Sequence, residues 1–337
     1  GRLPQLESVR MRRKAVERGI PLFTSLDTAN ALANALTSRY SLGNVELVDI
    51  NNMRTKHKKL TFTKMRGTGN DYLYFDCFDQ TVESPESLAV RLSNRRTGVG
   101  SDGIVLIMPS TIADAKMRMF NADGTEGSVA GNALRCVCKY LYENGHVRKA
   151  EMAVETGSGV KTAKLFIRED QVFSVLVDMG CPAFAPAKIP VKLDGDRVMM
   201  RPVFLAGEKR EISCVSMGNP HVVIFVEDVN RIPLEQVGPQ IETDSLFPER
   251  VNVSFAQIVD KNDIVMRVWE RGIGETAACG TGACAVAVAA VENGFCTRGA
   301  DIDVRLPGGT LVVRYQEDGK VWLTGDANTD FTGTIEI

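Results

Sequence analysis

The sequence is poor in the residues that metal and nucleotide chemistry needs. Its 337 residues hold only three histidines, His57, His146 and His221, far apart in the chain, which offers no ligand cluster. Eight cysteines are scattered at 77, 136, 138, 181, 214, 279, 284 and 296. Cys136 and Cys138 are too close for a standard zinc pair, and Cys279 with Cys284 has no second pair, so no metal is expected. In a chain this long these read as reduced thiols of a cytoplasmic protein, not as a disulfide framework. A net charge of −2 gives no electrostatic case for nucleic acid or an acidic membrane. No apolar run approaches ~20 residues, so no membrane span is expected, and the N-terminus lacks the apolar core of a secretory signal. There is no Walker-type loop. Gly98–Gly103 matches GxGxxG formally, but it follows a helix and leads into a strand, the reverse of a dinucleotide site.

What is present is ordinary for a globular protein: 44% hydrophobic and 24% charged residues, and a length that suits two domains plus an extension. Arg10–Gly19 reads as a basic helix, Ile20–Thr24 as a short strand, Ser25–Leu36 as an alanine-rich helix and Asn51–Lys59 as a linker. From Leu60 onward short strands dominate: 60–65, 72–76, 104–108, 116–120, 151–155, 161–167 and 172–178, with a helix over Pro85–Arg96. A second run follows near 198–205, 211–217, 221–226, 253–259, 263–269, 301–306, 310–315 and 320–324. Leu134, Val137, Cys138 and Leu141 share one helix face. Ala285–Val291 is apolar all round, which predicts a helix buried on every side.

Those two helices belong to a duplication. Asn121–Gly145 aligns without a gap on Glu270–Gly294, at a constant displacement of 149, with six identities in 25 positions. Glu126 falls on Glu275, Gly131 on Gly280, Val137 on Val286, and the closing Glu-Asn-Gly on itself. Each copy runs from a polar loop into a helix and ends on an Asn-Gly stop. The fold class expected is α/β (α+β): two pseudo-symmetric β-rich domains, each wrapping a central helix.

The second copy begins Trp269-Glu270-Arg271-Gly272 and places Cys279 at a helix N-terminus. Free N–H groups and the helix dipole stabilise a thiolate there, fit to act as nucleophile or base, and the same groups hold a carboxylate. Cys136, Cys138 and Cys284, inside helices, read as small buried hydrophobes. Met217-Gly218-Asn219-Pro220-His221 reads as a strand-to-strand turn. His221, just before the apolar run 222–226, is either a satisfied core group or a partner tuning a catalytic acid or base. Asn70, Asn121, Asn132, Asn219 and Asn252 each suit a turn or cap. Five together suit a ligand with several ammonium and carboxylate groups.

In order, Phe62–Tyr72, Gly98–Gly103, Phe120–Glu126, Met217–His221, Phe247–Asn252, Trp269–Cys284 and Leu306-Pro307-Gly308-Gly309 resemble the diaminopimelate epimerases, cofactor-independent members of the amino-acid racemase superfamily. The resemblance covers residues ~60–337. It implies two pseudo-symmetric halves (60–176 plus 325–337, and 177–324), a cleft between them, a homodimer and no cofactor. It implies two thiols on opposite faces of the substrate Cα, one removing the α-proton and the other returning it. By matched position, Asn70, Asn121, Asn219, Asn252, Glu270 and Arg271 would bind the amino-acid ends of diaminopimelate. Gly131-Asn132 and Gly280-Thr281 would supply N–H groups to the reacting carboxylate. His221 and Glu270 would neighbour the catalytic positions, Cys279 and residue 130.

The chain departs from the family at one of those positions. Where the family has cysteine, in Cys-Gly-Asn-Gly, this chain has Ala130-Gly131-Asn132-Ala133. Alanine transfers no proton. The change is compatible with an engineered site, with a natural variant using another acid or water, or with a binding-only amino-acid sensor. A racemase or dehydratase acting on proline, hydroxyproline or histidine is the other enzymatic alternative. Residues 1–52 stand apart: Met11–Ala29 resembles the C-terminal end of the carbamoyl-phosphate synthase large subunit.

Overall fold

A computed structural model describes residues 3–19, 26, 29–30, 33–34, 58–127 and 131–336. The chain divides into two units, 1–57 and 58–337. In the first, α1 (Leu3–Glu17) contains most of the expected basic helix and ends at Gly19, whose φ of 64° is a left-handed stop. Leu26, Ala29, Asn30, Ala33 and Asn34 are helical, as the alanine-rich pattern predicts. The expected strand at 20–24 and most of the linker lie outside the described residues.

The second unit holds the duplication, which extends far beyond the 25 residues legible in sequence. Its elements are β1 (Lys59–Gly67), β2 (Asn70–Asp76), α2 (Pro85–Ser93), β3 (Gly103–Met108), β4 (Ala115–Asn121), β5 (Glu126–Gly127), α3 (Gly131–Glu143), β6 (Glu151–Thr156), β7 (Gly159–Arg168) and β8 (Gln171–Asp178). After β9 (Arg201–Leu205), the same series returns as β10 (Glu208–Ser216), β11 (Pro220–Phe225), α4 (Leu234–Glu242), β12 (Asn252–Asp260), β13 (Asp263–Glu270), β14 (Gly274–Thr276), α5 (Gly280–Glu292), β15 (Asp301–Leu306), β16 (Gly309–Tyr315) and β17 (Val321–Gly325). β1, α2 and α3 each coincide end to end with β10, α4 and α5 at the 149-residue displacement. β18 (Asn328–Glu336) closes the series.

Strand pairing repeats with the elements. β2–β3 and β11–β12 are parallel, as are β4–β6 and β13–β15. Parallel neighbours need a crossover, which α2 and α3 supply in one half and α4 and α5 in the other. β8 and β17 join the halves antiparallel, Val175 to Gly325 and Leu176 to Thr324, a register that maps onto itself under the displacement. β18 pairs with β1, and β9 with β10.

Local chemistry repeats too. Arg118 holds Glu126 through a bidentate pair at 2.7 and 2.9 Å, and Arg267 holds Glu275 at 2.8 and 3.0 Å. The duplicated glutamates therefore serve the hairpins. Gly145 and Gly294, both at φ 79°, stop the two helices.

Four elements escape the sequence pattern: the short hairpin strands β5 and β14, and α4 and β18. α4 contains Gly238 and Pro239, which argue against a helix; a Cβ at Gly238 would meet the Trp269 ring at 2.7 Å, so packing requires the glycine. β18 is mostly exposed, and its polar side chains carry no apolar alternation. α2 stops at Ser93, short of Arg96, because Asn94 Oδ1 turns back onto the N–H groups of Arg96 and Thr97.

Both central helices are enclosed. Leu134, Val137, Cys138 and Leu141 of α3 are buried, and Ala285–Ala290 of α5 are fully so. Interiors this dense reject added volume. Ala287→Leu should destabilise the protein by roughly 1–3 kcal/mol, read as a lower urea midpoint at unchanged slope.

Candidate active site

The two helices bring their N-termini together. Cβ atoms built on Gly131 and Gly280 would lie 3.6 and 3.2 Å from the same Leu323 methyl. The Gly280 Cβ would also lie 3.8 Å from Asn132 Oδ1. Two sets of unpaired helix N–H groups thus converge within residues 58–337.

Cys279 is the N-cap of α5. Its Sγ accepts from Gly282 N at 3.3 Å and lies 3.5 Å from Thr281 Oγ1. The expected position is met, but the expected low-pKa thiolate is not. Burial, with the Glu270 carboxylate beside it, pushes the thiol pKa up, and the cap N–H only partly offsets this. Glu270 ends β13 and accepts a 2.6 Å bond from Thr276 Oγ1. Burial raises its carboxyl pKa as well. Thiol and carboxyl are a coupled pair, each holding its proton more tightly than in water.

The turns after β1 and β10 set equivalent asparagines. Thr68 (φ 45°) and Gly69 (φ 88°) form a two-residue turn that starts β2 at Asn70. The matching turn after β10 is one residue longer, Met217-Gly218-Asn219 before β11, and sets Asn219 149 residues after Asn70. Asn132 Nδ2 donates to Asn70 Oδ1 at 2.6 Å, and Asn219 Nδ2 donates to Thr281 Oγ1 at 3.2 Å. Each turn therefore reaches the first turn of its own half's central helix.

His221 is fully buried, and its Nε2 lies 3.0 Å from Asn219 Oδ1. Because Asn219 donates its NH2 to Thr281, its oxygen must accept, which makes Nε2 the protonated nitrogen. Burial, then the Arg271 charge, lowers the ring pKa to about 3. Of the two sequence readings of His221, the structure shows the core group: a buried ring that holds Asn219.

Asn252 spans two loops, donating to Pro220 O at 2.8 Å and accepting from Arg271 N at 3.0 Å. Arg271 Nη1 bonds Glu249 O at 3.1 Å. Asn121 ends β4 in the place that Glu270 has on β13, and donates to Thr125 Oγ1 at 3.0 Å. Among the described residues no hydrogen bond links the Asn121 side chain to the other candidates. Ala130 lies outside the described residues, together with 128 and 129.

Sequence reasoning missed three supports. Thr276 restrains Glu270. Glu242 on α4, 5% exposed, accepts from Trp269 Nε1 at 2.7 Å and Gly272 N at 2.9 Å, bracketing Glu270 and Arg271. Asp102, in the dismissed glycine-rich segment, accepts from Asn70 Nδ2 at 3.0 Å. The buried acid on an unread helix left no signal; Asp102 could have been found as the one carboxylate between those glycines.

The sequence profile described as diaminopimelate epimerase matches residues 62–185 and 213–329, which include every one of these groups. The chain belongs to the diaminopimelate epimerase family. The diaminopimelate epimerase of Acetivibrio thermocellus is 48% identical over 279 residues, covering 82% of this chain and 99% of its own. That of Desulfovibrio desulfuricans is 49% identical over 285 residues, covering 82% and 99%. Among solved structures, a Bacillus anthracis phenazine biosynthesis protein of the PhzF family superimposes with a TM-score of 0.61 at 18% identity, over 83% of this chain and 100% of that one. A hydroxyproline epimerase from Agrobacterium vitis gives 0.54 at 15%, over 84% and 94%. These two share the fold. The diaminopimelate epimerase match leaves residues 1–57 outside it.

The His221 assignment has a pH signature. Its folded pKa is below the 6.5 of an ordinary histidine, so the unfolded chain takes up a proton that the folded chain refuses. Stability from this group is undiminished above pH 6.5 and falls as pH drops from 6.5 towards 3. Nitrogen-15 ring spectra should show a neutral Nε2–H tautomer down to about pH 4; titration near 6.5 would contradict the assignment.

Proposed function

We propose that the chain is built to epimerise diaminopimelate, the reaction its relatives are named for, and that it does so by interconverting the LL and meso forms without a cofactor, with residue 130 changed. The observation that carries this is the pairing of Cys279 with Glu270 at the convergence of two helix N-termini, within the region that identifies the family. The N–H groups of Gly131-Asn132 and Gly280-Thr281 bind the reacting carboxylate and stabilise charge as the α-proton leaves. Asn70, Asn121, Asn219, Asn252 and the Glu270-Arg271 pair bind the remaining ammonium and carboxylate groups. An acid and a base together suit a distal amino-acid end, which proline lacks.

The raised Glu270 carboxyl pKa suits a proton acceptor for the adjacent thiol. Glu270 takes the Sγ proton, the thiolate removes the α-hydrogen from its face, and the electron pair is held on the substrate next to the bound carboxylate. In the reverse direction the Cys279 thiol returns the proton to the same face. Inversion needs a donor on the opposite face, the place of residue 130, and Ala130 has none. The halves 60–176 with 325–337 and 177–324 form the walls, residues 1–52 are an extension, and the enzyme is a cytoplasmic homodimer.

Calorimetry against diaminopimelate, lysine and proline tests the substrate; tight proline binding, or none of diaminopimelate, would sink the reading. In D₂O one stereoisomer should exchange its α-proton much faster than the other. Inversion should be slowed by at least ~10²–10⁴-fold, the usual cost of losing a positioned general acid. Cys279→Ala should abolish the exchange, and survival of it would remove Cys279 as the base. Ala130 also favours a second reading, a binding-only amino-acid sensor. Ala130→Cys decides between them: rapid interconversion identifies an epimerase lacking one acid, and inertness with intact binding identifies the sensor.

A further inference from the structure

The glycine-rich segment at 98–103 leads from α2 to β3, and its Asp102 faces the β1–β2 turn. Asp102 Oδ2 accepts from Asn70 Nδ2 at 3.0 Å and from Asp71 N at 3.2 Å. Its Oδ1 is held by Arg95 Nη2 at 2.8 Å, and Arg95 also grips Asp71. A carboxylate only accepts. Asn70 must therefore turn its NH2 towards Asp102 and its carbonyl away. That carbonyl takes Asn132 Nδ2 at 2.6 Å, so Asn132 in turn directs its own carbonyl onward.

Asn132 is 4% exposed, and its Oδ1 is buried with no hydrogen-bond partner among the described residues. It faces the N-terminus of α5, as its 3.8 Å approach to a Cβ at Gly280 shows. A buried carbonyl set among N–H donors is costly to leave unpaired and accepts only from a donor. Among the described residues the equivalent place in the other half has no unpaired carbonyl, although His221 Nδ1 is also buried without a partner. Asn219's oxygen takes His221 Nε2–H, and Asn132's counterpart at the 149-residue displacement is the Thr281 hydroxyl.

We propose that Asp102 is a positioning residue: through Asn70 it orients the Asn132 carbonyl as the acceptor for the substrate's α-ammonium at the reacting centre. This rests on the diaminopimelate reading. Helix N–H groups fix the carboxylate, Asn132 fixes the ammonium and the distal groups fix the side chain. The α-hydrogen is then the substituent left to face a thiol. Only the first half places a carbonyl at this helix N-terminus, which gives the ammonium its seat there.

Two measurements test the relay. In the ligand-free protein, Asp102→Ala should move the side-chain NH2 resonances of both Asn70 and Asn132. An unmoved Asn132 signal overturns the proposal whether or not diaminopimelate binds. In calorimetry with meso-diaminopimelate, Asp102→Ala and Asn132→Ala should each weaken binding ~10-fold. The double variant should also lose ~10-fold, because both act on one bond. Losses that multiply to ~100-fold would mean that Asp102 merely braces the loop, and would overturn the proposal. Wild-type protein that ignores diaminopimelate would sink the diaminopimelate reading, and the resonance measurement would still decide the relay.

Discussion

The antiparallel pairing of β8 with β17 is the constraint on which the site depends. It is the seam where the two copies of one supersecondary pattern meet, and its register is self-complementary. With the copies related in this way, whatever one central helix does at its N-terminus is repeated by the other from the opposite side. Leu323, on β17, touches the start of both helices. The meeting of the two helix N-termini is therefore a product of symmetry, and the copies differ where that symmetry is broken: Glu270 answers Asn121, Thr281 answers Asn132, and Cys279 answers Ala130.

Much of this was legible. The strands of both halves, the two central helices and the cysteine at a helix start follow from hydrophobic period and glycine placement. The duplication was visible over only 25 residues because identity survives where a helix must start and stop, at Gly131/Gly280 and at the Glu-Asn-Gly ends. Elsewhere the copies keep geometry without keeping residues. α2 and α4 coincide in position, yet one carries Leu88 and Leu92 where the other carries Val237 and Ile241. α4 was invisible because its glycine answers a tryptophan distant in sequence, and β18 because an exposed edge needs no apolar pattern. The candidate site was legible as a set of residues but not as a set of bonds. That Asn252 is oriented by backbone groups, and that Asn70 answers to a carboxylate 32 positions away, depends on tertiary proximity alone.

Burial sets the electrostatics of the site. A helix N-terminus in water would favour a thiolate, whereas here desolvation and a neighbouring acid keep Cys279 protonated. His221 is kept neutral by the same exclusion of water. The resting site therefore keeps its proton on sulfur, with the Glu270 carboxyl beside it held above its ordinary pKa by burial.

The pairing of β18 with β1 has a consequence for synthesis. β1 is among the earliest strands of its half to be made, but one of its neighbours is supplied by residues 328–336, after the whole second half has emerged. At roughly 5–20 residues per second this leaves one edge of β1 bare for on the order of ten seconds to a minute. A bare strand edge invites pairing with other chains. On the ribosome, the first half must therefore either wait unfinished for its last strand or be sheltered until it arrives.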